Sequence, residues 1–172
     1  MAPLWEIKRK GAMLQGVGEQ ALLKAPLTAF FASRQCPGSA IRAAMGWALE
    51  QAQKRQGVIS GFHSPLEQSV LQLLLQAKSP VVALLARSVA DARLPPGWQA
   101  ALADGHMAVA SMCDLPQRLT REHARERNEQ AARLSDTIVI AHATEGGELA
   151  RQSASWRASD WSVQYLIPNN PS

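Results

Sequence analysis

The sequence predicts a Rossmann-like α/β domain: a doubly wound, mostly parallel open sheet with helices on both faces. Three observations predict it. From residue 27 almost to the end, short apolar runs alternate with stretches of helical periodicity. One run, Val81–Ala86 (VVALLA), is unbroken, as a strand covered on both faces requires. The segments after several of these runs are short, rich in Ser and Gly, and open directly into helices, the pattern of parallel strands joined by helical crossovers. At 172 residues the chain suits one domain and can bury a core without disulfides or metal staples.

The elements follow in order. No element is assigned before Pro26, and residues 1–26 are read as an extension packing on the domain. Leu27–Ser33 (LTAFFAS) reads as a buried strand. Ile41, Ala44, Met45, Ala48, Leu49 and Ala52 recur at helical spacing, giving a helix over about 39–56 that Gly57 ends. Val58–Ser60 is a second strand. Ser64, Pro65 and Glu67 are a helix start, with Ser as N-cap, Pro in the first turn and Glu closing a capping box. Leu66, Val70, Leu73, Leu74 and Ala77 supply that helix's buried stripe. Val81–Ala86 is a strand, Pro95–Ala103 a short helix, and Met107–Met112 another strand. Thr120 caps a helix reaching about Leu134. Thr137–Ala143 (TIVIAHA) is the best candidate for a central strand, Gly146–Ala158 a helix, and Trp161–Ile167 the last strand. The Rossmann-like domain is placed at 27–167, and the Pro/Asn-rich residues 168–172 are read as a loose tail.

Composition narrows the class. With 47% apolar and 19% charged residues the chain is ordinary globular protein, which excludes disordered and fibrous classes. A net charge of +4 favours a phosphate-bearing partner without demanding one. The two cysteines, Cys36 and Cys113, lack the CxxC spacing of a zinc site and do not suggest a disulfide framework, so a reducing, cytoplasmic setting is expected. Met1–Lys10 has no apolar run of signal-peptide kind, and no stretch approaches the roughly 18 apolar residues of a membrane span.

In sheets of this class, ligands sit beyond the carboxyl ends of the strands, where helix N-termini present free N–H groups. Each loop there is a candidate phosphate contact. After the first strand, Ser33 and Arg34 lead through Gly38 into a helix; Arg34 suits a phosphate and Gly38 a close backbone approach, although an ordinary turn explains them equally well. After the second, Ser60 and Gly61 are candidates, whereas Ser64 and Glu67 are accounted for by the capping box and His63 by an ordinary loop. Arg87 follows VVALLA at the same rim. On the helix 121–134, Ala124, Asn128, Ala131 and Ser135 share an inward stripe. An amide there needs definite partners, so Asn128 with its neighbour Arg127 is read as functional or fold-locking. The remaining charges, in the i,i+4 pairs Arg125–Glu129 and Glu129–Arg133, read as a solvated salt-bridged face. Gly146 and Gly147 follow the best strand and allow backbone N–H groups close to an anion.

Some motifs lead nowhere. Gly16–Val17–Gly18–Glu19–Gln20–Ala21 matches the dinucleotide pattern GxGxxG/A, but Pro26 cuts the following helix short and no acidic residue stands at the ribose position. There is no GxxxxGK[ST] and no GxSxG. His123–Glu126 lacks the partners of a metal site. No cofactor and no metal are implied.

Taken in order, the segments FFASRQCPG, VISGFHSPLEQSVL, SPVVALLARSV and RERNEQAARLSDTIVIAHATEGGELA resemble the Rossmann-like domain of the DNA-processing protein A (DprA/Smf) family. That family shows a Ser/Arg strand end, a Ser-Gly-Gly loop, an Arg-Asn-Arg helix start and a Leu-Ser-Asp lead-in to a strand. The resemblance spans about residues 27–166. It implies that Arg34, Ser60, Gly61, Arg127 and Asn128 line a pocket for single-stranded DNA, bound mainly through phosphates and sensitive to salt. The chain departs from the pattern at Phe62, where a second glycine is usual, and at Glu129, where a second arginine is usual. The related Lonely-Guy-type phosphoribohydrolases carry Pro-Gly-Gly-x-Gly-Thr-x-x-Glu, which Thr144–Glu148 echoes only in part, so an enzyme is the less favoured class and no catalytic residue is assigned. Three readings therefore stand: a module binding single-stranded DNA with a basic groove joining Arg34, Arg87 and Arg127; a nucleotide sensor or hydrolase with a carboxylate beside its phosphate site; and a non-binding homodimer scaffold, suggested by tryptophans such as Trp156 and Trp161 and a C-terminal edge strand.

Overall fold

The computed structural model describes residues 3–113 and 121–167. It contains one eight-stranded sheet. Strands β1 (Trp5–Arg9) and β2 (Ala12–Gly18) form a hairpin, followed by β3 (Leu27–Ala32), α1 (Gly38–Lys54), β4 (Gly57–Ser60), α2 (Pro65–Gln76) and β5 (Val81–Leu85). Then come α3 (Pro96–Asp104), β6 (Met107–Met112), α4 (Arg121–Leu134), β7 (Thr137–His142), α5 (Glu148–Ala158) and β8 (Val163–Tyr165). The spatial order is β1-β2-β6-β5-β4-β3-β7-β8. The pairs from β6 through β8 are parallel, and the two joining β1, β2 and β6 are antiparallel. This is the doubly wound, mostly parallel sheet that the alternation of apolar runs predicts.

The helices divide between the faces by their apolar stripes. Ala44, Trp47 and Ala48 of α1, Val70 and Leu74 of α2, and Ala101 of α3 share one core with Phe30, Val58, Val81 and Val109. Ala131, Ala132 and Leu134 of α4, with Leu149 and Trp156 of α5, share the other with Phe31, Ile59, Val82 and Ile140. Phe30 and Phe31 thus point to opposite faces, as neighbours on a strand must. Phe30 stacks on Trp47 and Phe31 meets Trp156, both with ring centroids 5.0 Å apart. Each such pair contributes about 0.5–1.5 kcal/mol beyond area burial. Trp156 is buried, so it is not the exposed tryptophan of a scaffold surface.

Several expectations need correction. The opening segment, read without elements, holds the hairpin: Arg9 pairs with Ala12 across a two-residue Lys10–Gly11 loop, both at positive φ, as a type I′ turn requires. Gly16 and Gly18 of the dinucleotide-like pattern lie in β2. A Cβ on Gly16 would strike the Trp5 ring, and one on Gly18 the Met107 carbonyl oxygen, so these glycines serve strand packing. β7 is not central but stands next to the edge strand β8. β8 is shorter than Trp161–Ile167. In α2, Leu71 joins the buried stripe and Ala77 is exposed. Thr120 and residues 168–172 lie outside the described residues.

The hairpin is tied down far from the strand ends that matter below. Arg9 donates to the carbonyl oxygens of Leu134 (2.7 Å), Leu23 and Ala25 (2.9 Å each) and pairs with Asp136 at 2.9 Å. Asp136 also accepts from the Leu27 N–H and pairs with Lys10. Burial pushes this carboxyl up, but the Leu27 N–H, Lys10 and Arg9 outweigh it and hold its pKa below the ordinary carboxylate value.

Candidate functional site

The strand order reverses between β3 and β7. From β3 the chain steps through β4, β5 and β6 in one direction, then returns to place β7 on the other side of β3. The two loops leaving β3 and β7 therefore diverge to opposite faces and open a crevice at their carboxyl ends, where open α/β sheets hold ligands. A cleft of about 720 Å³ occupies this place. Ala32 and Ser33 come from the end of β3, Thr144 from the end of β7, Ser64 and Glu67 from the start of α2, Arg125, Arg127 and Asn128 from α4, and Arg151 and Gln152 from α5.

Ser33 binds the two diverging loops together. Its N–H donates to the His142 carbonyl oxygen at 2.9 Å, and its Oγ accepts from the Thr144 N–H at 2.8 Å. Beneath the cleft, the capping box of α2 forms as expected, with Ser64 Oγ accepting from the Glu67 N–H and Glu67 Oε1 from the Ser64 N–H. Glu67 does more than close that box. It is 4% exposed, and its carboxylate also accepts from the N–H groups of His63 (2.9 Å) and Ala32 (3.0 Å). One buried carboxylate thus joins the ends of β3 and β4, and its acceptor capacity goes to backbone.

Arg127 is differently placed. Its Nη2 donates to Asn128 Oδ1 at 3.3 Å, while its Nε is buried without a partner among the described residues. Burial pulls its pKa down, and the negative field of Glu67 opposes that shift. No carboxylate oxygen comes within ion-pair distance of it among the described residues. An incompletely solvated guanidinium with an unused donor is costly unless a ligand anion completes it. Gly61 makes room for this group: a Cβ there would stand 2.6 Å from the Arg127 Cζ and 2.8 Å from its Cδ. Gly61 thus serves by lacking a side chain.

The other candidates separate. Arg34 lines the cleft with an exposed guanidinium that makes no hydrogen bond or ion pair among the described residues. Ser60 is fully buried and its Oγ accepts from the Phe62 N–H, a bond internal to the loop. Phe62, where the family pattern has glycine, takes a left-handed φ of 49° and buries its ring in the core. Gly38 starts α1 and Gly147 caps α5, with Gly146 at φ 74° before it; none of the three lines the cleft. Arg87 is exposed and also stands outside it. The expected groove of Arg34, Arg87 and Arg127 is replaced by Arg34, Arg125, Arg127 and Arg151, set against Glu67 and Glu148, for a net charge of +2.

Sequence reasoning missed Arg125, Arg151 and Gln152 as wall residues and misplaced Glu129. Arg125 meets Glu148 at 3.7 Å, and Arg151 bonds Glu148 at 2.9 Å. Glu129 accepts from the Trp156 indole N–H at 3.0 Å and from Gln152 Nε2 at 3.3 Å, locking α4 to α5. It belongs to that helix contact, not to a solvated face. The signal for Arg151 and Gln152 was their position one turn into the helix after the double glycine. Gln152 Nε2 also donates to the Arg125 carbonyl oxygen, which fixes the amide's orientation and leaves its buried Oε1 without a donor among the described residues. Two residues that line the cleft, Arg127 and Gln152, thus each hold one buried polar atom without a partner among the described residues. Among the described residues there is no grouping of His, Cys, Asp and Glu able to hold a metal ion, and no helix long and apolar enough to cross a membrane.

Comparison with known proteins bears on the family and the fold. A family model described as DNA recombination-mediator protein A matches residues 2–157. No curated protein sequence matches. Among solved structures, DNA processing protein A from Streptococcus pneumoniae superposes with a TM-score of 0.72 at 18% identity, over 92% of this chain and 56% of that one. DNA processing protein A from Helicobacter pylori, described for its single-stranded DNA binding mode, gives 0.78 at 16% identity over 100% and 83%. The molybdenum cofactor binding protein from Rippkaea orientalis gives 0.56 at 10% identity over 81% and 75%. At these identities the likeness is one of fold, and this chain spans little more than half of the S. pneumoniae protein.

Proposed function

Since the chain belongs to the DNA recombination-mediator protein A family, we propose that its cleft binds single-stranded DNA, holding backbone phosphate at the carboxyl ends of β3 and β7. The observation that carries this reading is Arg127, largely buried, with an unused Nε and no carboxylate partner among the described residues. Arg34 supplies a second unpaired cation at the rim, and Arg125 and Arg151 add positive potential around it. Phosphate contacts of this kind release counterions, so affinity falls as salt rises. Gln152 Oε1 offers an acceptor for an N–H of a nucleotide base.

The hydrolase reading gains nothing from the two carboxylates that line the cleft. Glu67 is committed to backbone N–H groups, and Glu148 is paired with Arg125 and Arg151. A general acid or base needs a carboxyl free to exchange a proton with substrate. The test is a fluorescence-anisotropy titration of a labelled single-stranded oligonucleotide at low and moderate salt, with AMP as competitor. Salt-sensitive binding that AMP displaces only at high concentration supports the reading. A protein that ignores the oligonucleotide but is thermally stabilised by AMP contradicts it.

A further inference from the structure

A second depression, of about 360 Å³, adjoins the cleft and shares Arg34 with it. It lies between the starts of α1 and α2. Ile41 of α1, Pro65 and Leu66 of α2, and Cys36 from the connecting loop make its walls, with Ser69 on its rim. Ile41 is 43% exposed, which is unusual in this chain for so large an aliphatic side chain. The Cys36 Sγ donates to the Ser33 carbonyl oxygen, and burial pushes the thiol's pKa up, so this wall is uncharged at neutral pH. No carboxylate lines the groove. One cation lines it: Arg34, exposed and unpaired among the described residues.

An apolar slot bordered by the unpaired Arg34 guanidinium, which it shares with the neighbouring cleft, fits a chain that alternates flat apolar faces with anions. A single strand of nucleic acid has that character, and every base has a face to offer an aliphatic wall. The volume sits near the lower end of small-ligand sites, room for one base. An acidic peptide would bring the charge but no repeating flat face for Pro65 and Ile41.

We propose that the groove between α1 and α2 is a nucleobase subsite, taking the base next to the nucleotide held in the cleft, with Arg34 gripping the phosphate between them. The inference rests on the reading of the cleft given above and adds the direction in which the strand leaves it. It is tested with labelled hexathymidylate and a backbone of equal length lacking its bases, titrated into wild type, Ile41→Glu, Ser69→Phe and Arg127→Ala. Both groove positions are exposed, and two variants of different chemistry guard against a local folding defect. The expected result is a five- to tenfold loss of hexathymidylate affinity in each groove variant, with the wild-type preference for the base-bearing strand reduced by a similar factor. Wild-type affinity in both groove variants, with binding lost in Arg127→Ala, overturns the subsite and leaves the cleft reading standing. No binding by the wild type overturns both.

Discussion

Gly61→Ala separates the role of Arg127 from the stability of the fold. Gly61 has an ordinary negative-side backbone, so alanine meets no conformational penalty there; what it meets is the guanidinium. The Arg127 Nε lies nearest to where the new Cβ would stand, with Cζ at 2.6 Å and Cδ at 2.8 Å; ordinary contacts begin at 3.4 Å, so the group must retreat by more than about 0.8 Å. The obstacle is a side chain rather than backbone, and displacing it costs the fold about 1–3 kcal/mol, which the thermal melts read separately from binding. Binding suffers as well. A hydrogen bond to a charged group contributes about 1.5–3 kcal/mol, so Arg127→Ala weakens oligonucleotide binding by roughly tenfold to a hundredfold. Gly61→Ala, which spoils the geometry without removing the charge, costs about tenfold. Because both substitutions act through one group, their effects do not add: the double variant binds no worse than Arg127→Ala alone. Anisotropy titrations of the four proteins, with thermal melts alongside, read out this cycle. Wild-type affinity in Gly61→Ala, or losses that add in the double variant, would show that Gly61 does not act on binding through Arg127.

Two further predictions concern the supports of the cleft. Glu129→Ala leaves the buried Trp156 indole N–H without its acceptor, costing about 1–3 kcal/mol and lowering Tm by roughly 2–12 °C; a melt unchanged from wild type would show that the contact carries no stability. Asp136 has a folded pKa below its ordinary 3.8, so its contribution is present above that pH and is lost as pH falls through the lower folded value. Asp136→Asn should therefore be less stable than wild type at pH 7 and lose less stability on acidification below about pH 4, measured by denaturant unfolding across pH; its partial exposure keeps the effect small.

How far the sequence reaches is clearest element by element. Runs such as VVALLA and the IVIA centre of TIVIAHA announce buried parallel strands because both faces are covered and no polar residue interrupts them. The capping box at Ser64–Glu67 is equally legible, since its chemistry is local. The β1–β2 hairpin left a fainter mark: Trp5–Lys8 alternates apolar and polar residues, and Lys10–Gly11 suits a tight turn, but four residues of alternation are easily passed over, and Arg9 breaks the pattern. The site divides the same way. Arg34, Arg127 and Asn128 follow from position at strand ends and on a helix stripe. Glu67 does not, because a capping box explained it locally, while its bond to the Ala32 N–H crosses between loops that only the fold brings together. Glu129 misled for the same reason. Its i,i+4 arginines offered a local partner, whereas the groups it meets, the Trp156 indole N–H and the Gln152 amide, stand on another helix.

The account stands on Arg127 meeting phosphate, and that contact can be watched directly. In ¹⁵N-labelled protein, the Arg127 Nε–H resonance, assigned with Arg127→Lys, is followed while single-stranded oligonucleotide is added. The account predicts a saturable downfield proton shift and slower exchange with water, as the unused donor gains an acceptor, while Arg87 outside the cleft stays unmoved. Saturable DNA binding that leaves the Arg127 resonance where it was would contradict it.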